Sequence, residues 1–383
     1  MKNIYLPGLN ALRAIAALVV VVFHFDISFS TELKITSFSI YSDNTQAALA
    51  VTLFFVLSGY LITFLLFEER QKRGQIDIKA FYIRRILRIW PLYLLIILCT
   101  AALNYALFQE SIFKTNPSAS YLYLFFLGNF VEPFVGLFSA PNSIITPLFV
   151  LWSVGVEEQF YLIWPWLIRH SKKILVVLVS FVITFLCAKL FAQLYLGPQY
   201  LNFLNLTRLD CMAIGAIGAF VIKSKNKKIG IFLNTVIYSP VIQIVCWALF
   251  LSAFTLPIHL FSFIDHELYS IAFIVVILNV SMNSKSMVRL ENKVFNFLGQ
   301  ISYGIYMYHT LIMVILVKIV GQLDNSLVSY FSWLAIVLFI VIAIAYLSNK
   351  FFEGYFIRLK RRFEIVNSTN KKANDTNIAV ERA

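Results

Sequence analysis

Two ionisable residues share one face of the first apolar stretch of the sequence. Arg13 and His24 are eleven residues apart, which is three helical turns plus about 20°, so in a helix both side chains project from one face about 16 Å apart along its axis. A histidine can act as a general base at neutral pH or carry an acyl group transiently. We therefore take His24 as a candidate catalytic residue. For Arg13, the alternative is a side chain that extends its charge to a membrane interface.

A second group of polar side chains follows Trp152. Ser153, Glu157 and Tyr161 recur at i, i+4 and i+8, a spacing that puts them in one stripe on a helix. Glu158 adds a second carboxylate directly beside the first. Two carboxylates inside an apolar stretch can supply acid–base chemistry, and the alternative is an ion-pair lock between helices.

Two arginines have the spacing of an anion site. Arg85 and Arg88 stand at i and i+3, so their guanidinium groups point in the same direction from a helix. Such a pair can hold phosphate groups. The alternative is the ordinary anchoring of a basic loop on the cytoplasmic side of a membrane.

Two further groups of polar residues allow two interpretations each. Ser58 and Gly59, followed by Tyr60, favour close packing between helices, or leave room for a substrate backbone or an acyl chain. Arg208 and Asp210 open a later apolar stretch, where they form either a local tether or a site in an outer vestibule.

A last polar stripe combines a histidine with two hydroxyl groups. Ser302, Tyr306 and His309 lie at i, i+4 and i+7 and share one helical face. A lone histidine in a membrane often satisfies a hydrogen bond between helices. Because His309 shares its face with two hydroxyl groups, these three residues are candidates for supporting a site.

The composition of the chain indicates which elements must position these residues. Of 383 residues, 60% are apolar and 13% are charged, whereas soluble domains are about 45–50% apolar and about 25% charged. This excludes soluble globular, disordered, collagen-like and disulfide-rich proteins. We predict an all-α polytopic membrane protein.

The apolar stretches predict about ten transmembrane helices, since a span needs about 20 residues. A further stretch, residues 121–138, contains Gly, Asn, Glu and Pro, and we expect it to form a re-entrant or surface segment. Residues 1–357 are predicted to form the membrane domain, and residues 358–383 a basic, disordered cytoplasmic tail. The ten predicted helices are residues 9–29, 48–67, 89–108, 146–167, 174–196, 206–222, 230–256, 267–283, 300–320 and 329–350.

The distribution of charge supports this arrangement. With the N-terminus placed inside, 26 of the 32 Lys and Arg residues fall on the cytoplasmic side, as the positive-inside rule requires. Both termini are then cytoplasmic. The net charge of +13 therefore needs no nucleic-acid partner. The four cysteines lie in apolar runs without metal-type spacing, and we expect no metal site.

The residues and their order resemble the membrane acyltransferase 3 family over residues 5–357. The family motif Arg-x10-His has its counterpart in Arg13 and His24, and four further motifs follow in the family's order. These four are residues 54–60 (FFVLSGY), Arg85 and Arg88 with Ile89, Pro91 and Tyr93, Trp152–Pro165, and Ser302, Tyr303, Tyr306 and His309. Gly155 departs from the family pattern, which often has a larger residue there, and we expect the difference to affect only packing.

The resemblance implies an integral membrane O-acyltransferase of the cytoplasmic (inner) membrane. It implies a catalytic His24, with Arg13, Arg85 and Arg88 handling the donor acyl-CoA, expected to be acetyl-CoA; we choose Glu157 as the carboxylate of the site, orienting or balancing a histidinium. The implied acceptor is a hydroxyl of a surface or periplasmic glycan, or of a lipid-linked glycan, such as lipopolysaccharide or exopolysaccharide.

A proton-coupled transporter or flippase of a glycan or lipid is the alternative. Its proton relay would use His24, Glu157 and His309. No inverted repeat is visible in the sequence to favour it.

Overall fold

The fold is described here from a computed structural model, over residues 5–33, 45–108, 117–135, 146–320 and 326–364. Within these ranges every regular element is helical, as predicted, and none is a strand. The helices are α1 (Leu9–Leu33), α2 (Thr45–Arg73), α3 (Ile78–Phe108), α4 (Pro117–Leu124), α5 (Val131–Val135), α6 (Leu151–His170), α7 (Ile174–Phe191), α8 (Pro198–Thr207), α9 (Leu209–Lys223), α10 (Lys227–Phe232), α11 (Pro240–Thr255), α12 (Asp265–Met282), α13 (Lys293–Gln300), α14 (Ser302–Val320), α15 (Leu327–Leu347) and α16 (Gly354–Arg361).

Eight helical segments in the described ranges are long and apolar enough to cross a membrane. A ninth arises if residues 227–237 and 240–255, which meet at a bend of 66°, form one broken span. Helix α6, with 20 residues, is not among them; it carries Glu157, Glu158 and Gln159 in succession, which lowers its mean hydropathy. The chain is therefore a multi-pass membrane protein, while ten spans and two cytoplasmic termini stay predictions.

Helix α2 lies at the centre of the bundle. Of its most apolar 18-residue window, 78% is buried inside the protein, against 17% for the spans that contain α7 and α15. Helix α2 packs against α9 at two glycines, Gly59 and Gly215. A Cβ atom added at Gly59 would lie 1.9 Å from the Met212 carbonyl oxygen, and one added at Gly215 would lie 2.2 Å from the Val56 carbonyl oxygen. Gly59 thus serves close helix packing, the first of the two alternatives.

The start of α1 is held by the segment before α13. Glu291 accepts hydrogen bonds from the Gly8 N–H at 2.7 Å and from the Tyr5 hydroxyl at 2.6 Å. Partial burial acts to raise the pKa of Glu291, but these two hydrogen bonds and a third from Asn296 outweigh it and hold the pKa below its ordinary value. The backbone at Asn10 packs directly on Gly299. These contacts position the helix that carries Arg13 and His24.

Helix α3 begins earlier than predicted. It starts at Ile78 rather than at residue 89, so Arg85 and Arg88 lie within the helix and Pro91 lies in its interior. An interior proline removes one backbone hydrogen bond. Asp77 offsets part of this cost by accepting a hydrogen bond from the Ala80 N–H at 2.9 Å at the helix start.

Residues 121–138 do not form one long helix, as predicted. The described part, residues 117–135, consists of α4, a turn of 3₁₀-helix at Gly128–Phe130, and α5; residues 136–138 lie outside the described ranges. Phe126 adopts a positive φ of 61° and stacks on Tyr93 with the ring centroids 4.2 Å apart. The segment packs against α6, where a Cβ on Gly155 would lie 2.5 Å from the Phe126 carbonyl oxygen.

One predicted helix and the predicted start of the tail have other boundaries in the structure. The helix predicted over residues 206–222 is broken at Arg208, which has φ 36° and separates α8 from α9. The predicted start of the tail, residue 358, lies inside α16, and Lys360 near the end of that helix forms an ion pair with Glu364 beyond it at 3.1 Å. Residues 365–383 of the predicted tail lie outside the described ranges.

Candidate functional site

His24 of α1 pairs directly with His309 of α14. His24 Nδ1 lies 2.8 Å from His309 Nε2, and the rings stack with their centroids 5.1 Å apart. Phe149 covers the His24 ring at a centroid distance of 6.0 Å. The side chain of His309 is fully buried. The hydrogen-bond partner of His24 is thus the second histidine, whereas Glu157 bonds to Ser58 and Tyr161.

The hydrogen bonds assign the protons of a neutral histidine pair. His309 Nδ1 lies 2.6 Å from the Tyr306 carbonyl oxygen, which can only accept, so His309 Nδ1 must carry hydrogen. A neutral imidazole has one N–H, and His309 Nε2 therefore accepts from the N–H at His24 Nδ1. The remaining nitrogen, His24 Nε2, keeps its lone pair and can accept a proton.

Glu157 of α6 is held by two hydroxyl groups. Ser58 Oγ donates to Glu157 Oε1 at 2.6 Å, and Tyr161 Oη donates to Glu157 Oε2 at 3.1 Å. The charges of Arg13 and Arg85 act on the same carboxylate. Glu157 of the predicted stripe thus meets α2 at Ser58, next to Tyr161 and near the arginines of α1 and α3.

Arg85 is sandwiched between two aromatic rings. Its guanidinium carbon lies 5.7 Å from the Phe81 ring centroid and 5.6 Å from that of Tyr161. The Arg85 Nε atom is buried and has no hydrogen-bond partner within the part of the chain that the structure describes. A buried donor without a partner is costly. An anion bound next to Arg85 Nε would supply the missing acceptor.

Arg88 stands one turn further along α3. It lies over the Tyr303 ring at 5.7 Å and reaches Glu353 at 3.9 Å. Its charge also acts on Arg13. Arg13, Arg85 and Arg88 thus bring three positive charges to one end of α1, while His24 lies toward its other end. We name these three residues the arginine cluster.

Two hydroxyl groups connect α6 to the histidine pair. Ser153 Oγ and Tyr306 Oη lie 2.7 Å apart, and both are within 3.1 Å of the Val150 carbonyl oxygen. The Tyr306 ring lies 5.7 Å from that of His309. Ser153 and Tyr306 therefore support the helix turn whose carbonyl group orients His309.

Arg208 and Trp152 form a wall near this network. The Arg208 guanidinium lies 5.4 Å from the centroid of the Trp152 ring and donates to the Ala48 carbonyl at 2.7 Å. It also reaches Thr52 Oγ1 at 3.2 Å. Arg208 ties the break between α8 and α9 to α2, which agrees with a tether.

Comparison with protein families decides the class of the protein. Residues 6–350 match the model of the acyltransferase domain of the acyltransferase 3 family. The chain belongs to this acyltransferase family.

Curated relatives of this acyltransferase domain carry O-acetyltransferase names. The chain is 27% identical over 330 residues to the peptidoglycan O-acetyltransferase OatA of Listeria monocytogenes, covering 80% of this chain and 49% of that protein. It is 26% identical to the O-acetyltransferase OatA of Staphylococcus aureus, covering 81% of this chain and 51% of that protein. The chain thus spans about half the length of these relatives. No solved structure matches it.

Two predicted site residues of the acyltransferase domain lie apart from these groups. Tyr60 is fully buried, and its hydroxyl lies 3.4 Å from Ser281 Oγ on α12. Ser302 Oγ donates to the Gly299 carbonyl at 2.9 Å and so joins the start of α14 to the last turn of α13. Both residues stabilise helix contacts in the structure.

The sequence analysis missed a buried ion cluster that includes Asp210. Lys189 of α7 pairs with Asp210 at 3.0 Å and with Glu267 of α12, and the three side chains are buried. Asp210, Cys211 and Glu267 place potential metal-ligand atoms within 4.8 Å of one another, but the Lys189 ammonium already pairs with both carboxylates. The cluster agrees with a tether for Asp210. Besides Asp210, the lysine inside the apolar run of α7 is the signal in the sequence that points to this cluster.

Proposed function

We propose that this chain is an integral-membrane O-acyltransferase that moves an acyl group, expected to be acetyl, from acyl-CoA to a hydroxyl of a glycan. The observation that carries the proposal is the hydrogen-bonded pair of His24 and His309. It leaves His24 Nε2 with a lone pair on the helix face that also carries Arg13. Membership of the acyltransferase family and the O-acetyltransferase relatives support it.

The arginine cluster suits the donor. The coenzyme carries several phosphate groups, and Arg binds phosphate through charge-assisted, often bidentate hydrogen bonds. The buried and unpartnered Arg85 Nε fits such an acceptor. In the predicted topology this end of α1 faces the cytoplasm, where acyl-CoA is made. The pantetheine arm then runs along α1 toward His24, about 16 Å away.

The transfer needs one base and one leaving group. His24 Nε2 takes the proton of the acceptor hydroxyl while the hydroxyl oxygen attacks the thioester carbonyl carbon of the donor. The carbon–sulfur bond breaks, and the coenzyme thiolate takes up the proton from the imidazolium. In the alternative with an acyl carrier, His24 Nε2 attacks the thioester carbonyl carbon, and the carbon–sulfur bond breaks to release the coenzyme thiolate. The acceptor oxygen then displaces His24 from the acyl carbon, and the hydroxyl proton passes to the thiolate. Glu157 balances the charge of the arginine cluster in both versions.

The acceptor is a glycan outside the cytoplasmic membrane. Lipopolysaccharide and exopolysaccharide, free or lipid-linked, are the acceptors that the sequence resemblance implies. The name of the Listeria relative adds peptidoglycan. We place the chain in the cytoplasmic membrane with both termini inside, because the positive-inside rule favours that orientation.

The test compares acyl transfer and donor binding in two variants. His24→Ala removes the base, and we expect the rate of acetyl transfer to surface glycans to fall by about 100-fold or more with acetyl-CoA binding unchanged. Arg88→Ala removes a phosphate ligand, and we expect acetyl-CoA binding to weaken about 10-fold or more. Equilibrium binding to the purified chain and mass spectrometry of the glycans measure the two quantities.

His259→Ala is the matched control, because this histidine is exposed on the loop before α12 and should leave both quantities unchanged. Full transfer activity in a well-folded His24→Ala variant would contradict the role of His24. Substrate flux through proteoliposomes without acyl-CoA would instead favour a transporter.

A further inference from the structure

A pocket between the start of α3 and the end of α6 lies outside the groups described above. It has a volume of about 620 Å³. Three basic residues, one acidic residue and two aromatic residues stand out in its lining: Arg73, Lys79, Arg169, Asp77, Tyr82 and Trp166. We name it the basic pocket.

The cations of the basic pocket exceed its carboxylates by two. Arg73 and Lys79 are exposed, and neither has a hydrogen-bond or ion-pair partner among the described residues. Asp77 uses one oxygen to cap α3. Arg169 donates to the Ile76 carbonyl at 3.2 Å, which fixes the wall of the pocket and keeps the charge of Arg169 there. Such a pocket favours a ligand with negative charge.

The opposite wall has the character of a membrane interface. The Trp166 ring is 51% exposed, yet its Nε1 donates to Tyr82 Oη at 3.0 Å, and that hydroxyl donates to the Leu162 carbonyl at 2.6 Å. Aromatic rings with one hydrogen-bonded edge are typical of the headgroup level of a bilayer. One turn earlier on α6, Leu162 and Ile163 are 66% and 59% exposed. Because these apolar side chains face outward from the bundle, they offer a track for acyl chains.

The order of these surfaces matches that of a phospholipid. The cations lie at the end of α2, the start of α3 and the end of α6, the aromatic pair lies next, and exposed apolar side chains follow along α6. The basic pocket is separate from the arginine cluster, since Arg85 turns toward Tyr161 on the inner side of α6. Pockets of this kind on the cytoplasmic side of transmembrane helices suit lipid phosphate groups.

We propose that the basic pocket binds the headgroup of one anionic glycerophospholipid from the cytoplasmic leaflet. Arg73, Lys79 and Arg169 hold its phosphate ester, Trp166 lies at its glycerol backbone, and its acyl chains run along Leu162 and Ile163. The proposal does not depend on the reaction at His24.

Native mass spectrometry of the purified full chain tests the proposal. The chain in detergent is titrated with dioleoylphosphatidylglycerol and, separately, with zwitterionic dioleoylphosphatidylcholine. We expect one phosphatidylglycerol to bind more tightly than phosphatidylcholine. In the double variant Arg73→Gln and Lys79→Gln the affinity should fall about 30-fold, because each Lys or Arg near an anionic lipid contributes a factor of about 5.

The double variant Lys225→Gln and Lys228→Gln is the control. It removes the same charge from exposed positions just before α10 and in its first turn, and we expect it to bind phosphatidylglycerol like the unmodified chain. Lys79→Gln alone, with about a 5-fold loss, serves if the double variant folds poorly. An equal loss in the control, or equal binding of the two lipids, overturns the proposal. Displacement of the lipid by millimolar glycerol 3-phosphate overturns it too, by assigning the pocket to a soluble phosphate ester.

Discussion

The protonation of His24 depends on a residue that lies 285 positions away in the sequence. His309 is fully buried and is oriented by the Tyr306 carbonyl, so it presents an acceptor nitrogen to His24 Nδ1. This contact selects the tautomer of His24 that has its lone pair on Nε2. His309 is thus a positioning residue in the proposed mechanism, and it acts through His24.

The first residue-scale prediction concerns His309. In the variant His309→Ala, His24 loses the acceptor for its Nδ1–H, and we expect kcat for acetyl transfer to fall about 10- to 100-fold while KM for acetyl-CoA stays unchanged. His309→Gln should recover part of the rate, because an amide oxygen can accept the same hydrogen bond. Steady-state kinetics in membranes measures both constants.

A purely structural role for His309 predicts another pattern. The two variants would then lose expression and donor binding together, and Gln would rescue no better than Ala. That result would remove His309 from the mechanism.

At the scale of elements, close contacts between backbones set the positions of the site residues. Gly59 and Gly215 bring α2 against α9, and this packing leaves Ser58, the neighbour of Gly59, to contact Glu157 on α6. Gly155 similarly allows the Phe126 carbonyl to approach α6. The expectation that Gly155 affects only packing agrees with this contact.

Gly59→Ala should destabilise the bundle. Its new Cβ would lie 1.9 Å from the Met212 carbonyl oxygen, so α2 and α9 must separate, at a cost of about 1–3 kcal/mol. The thermal unfolding midpoint of the purified chain should fall accordingly. Gly230→Ala is the matched control, since a Cβ there meets no atom within 4 Å and should not lower the midpoint. An unchanged midpoint in Gly59→Ala would contradict the prediction, because it would mean that α2 and α9 can separate at this contact without loss of stability.

At the scale of the whole molecule, the proposed function needs access to the site from both sides of the membrane. The arginine cluster and His24 occupy different ends of one face of α1, so a donor held by the cluster and an acceptor at His24 would approach from opposite sides if α1 crosses the bilayer. The bent pair α10–α11 decides on which side the later helices begin. Its 66° bend is compatible with a broken span.

Thiol labelling in intact cells tests whether that pair crosses. In a background with the four native cysteines replaced by Ala, Lys225→Cys lies before the pair and His259→Cys lies after it, and both positions are exposed. We expect a membrane-impermeant thiol reagent to label His259→Cys only, because Lys225 is predicted to face the cytoplasm. Equal labelling of both positions in intact cells would mean that the pair returns to the side on which it began.

The class of protein and the helix faces that carry polar residues could be predicted from the sequence, since composition and local spacing determine both. The apolar content indicates a membrane protein, and helical periodicity puts Arg13 and His24 on one face and Glu157 in a stripe with Tyr161. The predicted start at residue 89 is wrong because the apolar count marks where a span begins, while the helix itself extends from Ile78 through Pro91.

Only the tertiary structure decided which polar residues meet. His24 pairs with His309, Ser58 with Glu157, and Lys189 with Asp210, each across a long separation in sequence. The rotation of each helix about its axis and the points where helices cross select these pairs. Both depend on the apolar contacts of many neighbouring helices at once, and no local spacing in the sequence records them.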